Sequence, residues 1–160
     1  MIAMLQALIV ITTANATPVL ASLVFRSRLK QPLDLGKRLA DGNRILGPSK
    51  TIRGVITAIV ATAAAAWLLG LPPLAGGLAA ALAMLGDVVS SFAKRRLGLP
   101  SSSRFYVLDQ APEAVLPLLA LIPLTTIDGL AGIIAALVFI LLSQPVSWLL
   151  YRIGIRGQPY

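Results

Sequence analysis

The chain has 160 residues, 57% of them hydrophobic and only 12% charged, with a net charge of +8. Soluble domains carry roughly a quarter charged residues, so the composition excludes an ordinary soluble fold and points to an integral membrane protein built from helices. Neither cysteine nor histidine occurs, which excludes disulfides, thiolate and imidazole metal ligands and histidine bases, and leaves six carboxylates as the strong anionic ligands.

Apolar runs predict an all-α membrane protein with five transmembrane helices in one domain over residues 1–160. The first span covers residues 4–25 and lacks the basic leading region of a signal peptide. The second follows Arg53 and ends near Gly70. Leu71-Pro72-Pro73 turns into the third, which runs to Phe92 and continues as helix through Arg96. A fourth begins at Pro112, placed at the first helical position, and ends near Thr126. It is short, about 23 Å at 1.5 Å per residue, and contains Pro117 and Pro123. Ile127-Asp128-Gly129 turns into the fifth span, ending near Leu150. In this arrangement all fourteen basic residues fall on one side, in two basic loops and a tail. The positive-inside rule then puts the N-terminus outside and the C-terminus in the cytoplasm. The positive charge suits anionic lipid or an anionic substrate, and nucleic acid is not implied.

Three polar stretches meet the basic side. In the first, residues 41–54, Asn43, Lys50, Thr51, Arg53 and Gly54 combine turn formers, phosphate-reaching cations and a helix start. Its glycine spacing is not that of a Walker loop. A solvated basic loop is the plain alternative. In the second, Asp87, Ser90, Ser91 and Lys94 stand at i, i+3, i+4 and i+7, so a helix puts them on one face, followed by Arg95 and Arg96. Snorkelling at a helix end accounts for the basic residues. It does not account for an acid and two hydroxyls at the edge of a span, where ionisable groups mark function, although Lys94 could serve Asp87 as a structural partner. The third stretch runs from Ser101 to Gln110 and carries Asp109 just before the fourth span. Two carboxylates at one depth, with hydroxyls and cations, suit Mg²⁺ bridging a polyphosphate, because magnesium takes oxygen ligands, often one or two carboxylates plus phosphates.

Gly86-Asp87, Ser90-Ser91-Phe92-x-Lys94-Arg95 and Leu108-Asp109 together resemble the C-terminal signature of the CDP-diacylglycerol synthases, the phosphatidate cytidylyltransferases. The Gly-Pro-Ser-Lys-Thr-Ile-Arg-Gly segment at 47–54 resembles their lysine-threonine-x-x-glycine segment before a helix. The small size, the five spans and the form Arg95-Arg96-Leu97-Gly98 with Leu108-Asp109-Gln110 are similar to the archaeal branch, the CDP-archaeol synthases. The His-Gly-Gly before the second acid is missing. Gln110 stands in place of arginine, Pro112 in place of a further aspartate and Ser90 where glutamate is frequent.

The resemblance implies transfer of CMP from CTP to a prenylated glycerol phosphate, 2,3-bis-O-(geranylgeranyl)-sn-glycerol 1-phosphate, in the cell membrane with the site on the cytoplasmic face. It implies Mg²⁺ held by Asp87 and Asp109, with Lys94 and Arg95 as further catalytic residues. Substrate contacts would come from Asn43, Lys50, Thr51, Arg53, Gly54, Ser90, Ser91 and Arg96, and a homodimer is allowed. Two other readings compete. A small transporter would favour an acid deep in the bilayer with water paths to both faces, whereas Asp87 lies near the basic side. A non-catalytic subunit binding acidic lipid leaves Asp87 and Asp109 without a task.

Overall fold

A computed structural model describes residues 1–99 and 106–154, apart from the side chains of 106–108; the Ser101 to Phe105 part of the third polar stretch lies outside the described residues. The helices are α1 (Ile2–Phe25), α2 (Ile52–Leu68), α3 (Pro73–Arg96), α4 (Tyr106–Val115), α5 (Leu118–Leu124) and α6 (Gly129–Arg152). Helices α1, α3 and α6 are long and apolar enough to cross a membrane. At 24 residues each they reach about 36 Å, beyond the roughly 30 Å hydrocarbon core. Helix α2, with 17 residues, is shorter but also apolar.

The predicted fourth span is not one helix. Pro117 has no N–H to donate to the carbonyl of Glu113 and its ring crowds that carbonyl, which weakens the α-helical ladder at this point. The chain breaks after Val115 and restarts as α5, where the N–H groups of Ala120 and Leu121 both bond to the Pro117 carbonyl at 3.0 Å. The helix is already formed at Tyr106, so Pro112 lies inside α4 rather than at its first position, and Asp109 sits in the first described turn.

Helices α2 and α3 pack most extensively, followed by α1 and α2. Along α2 the buried positions Gly54, Ala58, Thr62 and Ala66 recur every four residues. They meet small residues of α3, including Ala80 and Ala83. In lipid the hydrophobic effect does not drive helices together, and small side chains that let backbones approach supply the packing instead. A second cluster joins Ala7, Val10 and Ile11 of α1 to Leu71, Ile127 and the Ala135–Phe139 part of α6. It gathers both short turns at the start of α1, leaving the 26–51 loop, the C-terminal end of α3 and the start of α4 at the opposite end.

That loop is organised around the buried Asp34. Its carboxylate accepts from the Arg44 side chain at 2.5 and 3.2 Å and from the N–H groups of Gly36, Leu46 and Gly47 at 3.0, 3.1 and 2.9 Å. Burial opposes the charge, but the Arg44 contact and the three N–H donors outweigh it and hold the carboxyl well below the usual carboxylate range. Leu33 N–H to the Lys50 carbonyl and Ile52 N–H to Gln31 then close the loop back onto the start of α2. Arg96 fastens it to α3 through Asp41 at 2.5 Å and the Arg44 carbonyl at 2.9 Å.

A depressed native pKa stabilises the fold above the unfolded-state value and is lost as pH falls through the native one. Thermal unfolding of the detergent-solubilised protein is therefore expected to show Asp34→Asn less stable by about 2 kcal/mol at pH 7, the scale of hydrogen bonds to a charged group. The gap between variant and parent should narrow below about pH 4. An equal gap at pH 7 and pH 3 would show that the Asp34 charge does not hold the loop.

Candidate active site

The predicted stripe on α3 is present. Ser90, Ser91 and Lys94 are buried, and the Asp87 side chain is about a fifth exposed. Ser90 Oγ donates to the Asp87 carbonyl at 3.0 Å, so this hydroxyl is spent on its own helix. Arg95 is buried beside the stripe in the last turn.

The acids and cations are paired across elements rather than along the helix. Lys50, which ends the loop, binds the Asp87 carboxylate through its Nζ. Lys94 binds Asp109 of α4 at 2.7 Å. The pairing of Lys94 with Asp87 considered from sequence is not made, because the two are two turns apart on α3 and the antiparallel α4 brings Asp109 alongside the lower turn.

Gly86 sets this register. A Cβ at Gly86 would stand 2.7 Å from the Pro112 carbonyl carbon, 2.8 Å from its oxygen and 3.0 Å from the Glu113 nitrogen. Only hydrogen fits between the two backbones. The glycine that precedes Asp87 is therefore the place where α4 is pressed against α3.

The same crossing brings in a residue to which sequence reasoning gave no role. The Glu113 carboxyl lies within hydrogen-bonding reach of Asp87, in the field of Lys50 and Asp109. Asn15 of α1 donates to the Glu113 carbonyl at 3.4 Å, which ties α1 to the same point. The available signal was simple: Glu113 is the only glutamate of the chain, one helical turn beyond Asp109 and inside an otherwise apolar run.

The remaining predicted residues occupy the joint around the site. Thr51 caps α2, its Oγ1 accepting from Gly54 N–H at 3.2 Å. Gly54 passes close to α1, where a Cβ would sit 3.3 Å from Pro18 Cβ. The buried Arg53 donates to the carbonyls of Arg26 and Arg28 at 3.1 and 2.5 Å, satisfying backbone beyond the end of α1. Arg96 is engaged by Asp41 and the Arg44 carbonyl. Asn43 is exposed in the loop turn, its amide 3.5 Å from Asp41, and is not brought to Asp87. Among the described residues no three acids are arranged as a ready metal cage.

The fold and site define a helical membrane protein whose paired acids and cations gather at one end of the bundle. The model of the CarS-like family, CDP-archaeol synthase, matches residues 1–74 and 73–160, so the chain belongs to that family. A CDP-archaeol synthase of Pyrobaculum calidifontis is 30% identical over 156 residues, covering 92% of this chain and 90% of the relative. That of Aeropyrum pernix is 33% identical over 156 residues, covering 92% and 85%, and that of Methanopyrus kandleri is 46% identical over 86 residues, half of each chain. A solved structure of an intramembrane enzyme for archaeal membrane lipids biosynthesis superposes with a TM-score of 0.70 at 28% identity, covering 86% of this chain and 90% of that one.

Gly86→Ala is expected to force the α3 and α4 backbones apart, since neither side of the 2.7 Å contact can rotate away. The cost should be about 1–3 kcal/mol, as for other overpacked sites. A lower melting temperature in detergent, together with reduced turnover, checks it; unchanged values for both would show that α4 does not depend on this contact.

Proposed function

We propose that this chain is a CTP-dependent lipid-phosphate cytidylyltransferase. It transfers CMP to 2,3-bis-O-(geranylgeranyl)-sn-glycerol 1-phosphate and releases pyrophosphate, making CDP-archaeol for archaeal membrane lipids. The observation that carries this reading is the cross-element pairing of Asp87 with Lys50 and Asp109 with Lys94, at the end of the bundle where the basic loop collects. Family membership supports it and favours an enzyme over the transporter and non-catalytic readings. The positive-inside rule puts this end on the cytoplasmic face of the cell membrane, with the N-terminus outside and five crossings, the fourth made by α4 and α5 together. Water-soluble CTP and a bilayer-anchored phosphate meet at such a boundary.

For Mg²⁺ the donor set fits. The carboxylates of Asp87 and Asp109 are hard oxygen ligands, and an ion bound largely through substrate phosphates needs only one or two of them. A three-acid cage is therefore not demanded. Bound there, Mg²⁺ would screen the repulsion between two anionic substrates and polarise the phosphate under attack.

The residues of the chain perform the rest. An oxygen of the lipid phosphate attacks the α-phosphorus of CTP, and the bond from that phosphorus to the oxygen bridging to the β-phosphorus breaks. The nucleophile is already an anion, so no general base is needed, in keeping with a chain that lacks histidine. Lys94 and Arg95, buried in the last turn of α3 beside Ser91, hold the triphosphate and stabilise pyrophosphate as it leaves. Lys50 lies beside Asp87 and neutralises the charge gathered where the two phosphates approach. Thr51 and Gly54 fix the start of α2 so that Lys50 points inward. Arg53, Arg96 and Asn43 act through the loop that carries Lys50.

Asp87→Asn or Asp109→Asn should reduce transfer of radiolabelled CMP by about a thousandfold or more, the scale of losing one electrostatic element of an active site, while membrane insertion is retained. Near-parental activity in either purified variant would overturn the proposed role of that acid. Lys50→Ala should raise the apparent KM for CTP roughly tenfold, the loss of about one charge-assisted contact; an unchanged KM would remove Lys50 from the nucleotide.

A further inference from the structure

A cavity of about 250 Å³ opens on one side of Asp87. Its apolar walls come from Pro18 of α1, Val55 of α2 and Met84 and Val88 of α3. Its polar lining includes Ser22, Lys30, Ser49, Lys50 and Asp87. The described residues that line it come from α1, α2, α3 and the loop, whereas Asp109 and Glu113 approach the site from α4. The Asp87–Lys50 pair therefore forms a partition, with the cavity on one side and the α4 acids with Lys94 on the other.

We propose that this cavity receives the phosphate monoester and glycerol of the lipid substrate, with Lys30 and Ser22 as headgroup contacts. The inference rests on the cytidylyltransferase reading and assigns its second substrate a place. Three observations carry it. The lining is amphiphilic: cations stand near a wall built from three apolar helices, which matches a phosphate joined to hydrocarbon rather than a nucleotide. Among the described residues that line the cavity none is aromatic, and these offer no ring on which a base could stack. It also reaches inward along the spans: Pro18 lies seven residues before the end of α1, roughly 10 Å into the helix. A bilayer-anchored chain can be accommodated at that depth.

The partition also suits the chemistry. In-line displacement requires nucleophile and leaving group on opposite sides of the phosphorus. A lipid phosphate in the cavity and pyrophosphate beside Lys94 would lie on opposite sides of the Asp87–Lys50 pair. Arg53 borders the cavity, but it is buried and its Nη1 is engaged by the carbonyls of Arg26 and Arg28. Lys30, exposed on the loop, is the cation able to meet a headgroup.

The test uses the purified full chain in mixed micelles, with the lipid phosphate and CTP varied independently. Lys30→Ala removes the charge, and Ser22→Trp fills the cavity from an exposed position of α1 without altering the core. Each should raise the apparent KM for the lipid phosphate about tenfold, the loss of one charge-assisted contact, with KM for CTP within about twofold. Soluble sn-glycerol 1-phosphate should inhibit competitively against the lipid and not against CTP, and inorganic phosphate should do so only weakly. Matching thermal unfolding and CTP binding would establish that both variants are folded. A raised KM for CTP with an unchanged lipid KM would make the cavity the nucleotide compartment and overturn the inference, as would two unaltered constants. Failure of the parent protein to label any lipid phosphate would instead strike the cytidylyltransferase reading itself.

Discussion

Charge in a low-dielectric bundle must be compensated, and here two ion pairs between different elements meet that requirement. Asp87 on α3 is satisfied by Lys50 from the loop, and Asp109 on α4 by Lys94 from α3. Neither acid has its cation on its own helix. The loop, α3 and α4 are consequently coupled, because leaving one member of a partly buried pair alone is far costlier than making the pair is beneficial. The same groups that hold the elements together are those proposed to meet phosphate and magnesium.

The surrounding structure serves to deliver those groups. Asp34 gathers a turn-rich loop around one buried carboxylate, and Arg53 and Arg96 spend their guanidinium groups on backbone carbonyls and on Asp41. The outcome is a Lys50 held against Asp87. On the opposite flank Gly86 admits the α4 backbone, and the break at Pro117 turns the chain into α5 after the ten described helical residues of α4. A continuous fourth helix would have had to carry Asp109 and Glu113 on a straight rod. The shorter α4 is free to follow the contact with Gly86.

The proposed substrate placement uses this division. The reacting phosphates are both anions, one dissolved and one anchored, and they need separate approaches to one point. In the proposed arrangement the cavity behind Lys50 and the acids of α4 would be two such approaches, with Asp87 common to both. Catalysis of this kind depends chiefly on positioning and electrostatics, which a small helical protein without histidine or cysteine can supply.

Much of this was legible in the sequence, and the limits have physical causes. Apolar runs of span length, one-sided basic charge and the four-residue spacing of Asp87, Ser91 and their neighbours depend on local chain geometry, so they determine the helical membrane fold, the polar end and the shared face of α3. Pairing depends on how helices cross, which no local periodicity encodes. Only the tertiary structure decided that Lys94 serves Asp109 rather than Asp87, that Arg53 is held by carbonyls, and that Glu113 joins the acids. The reason lies at Gly86, where the absence of one Cβ lets two backbones touch and sets which side chains of α3 and α4 can meet.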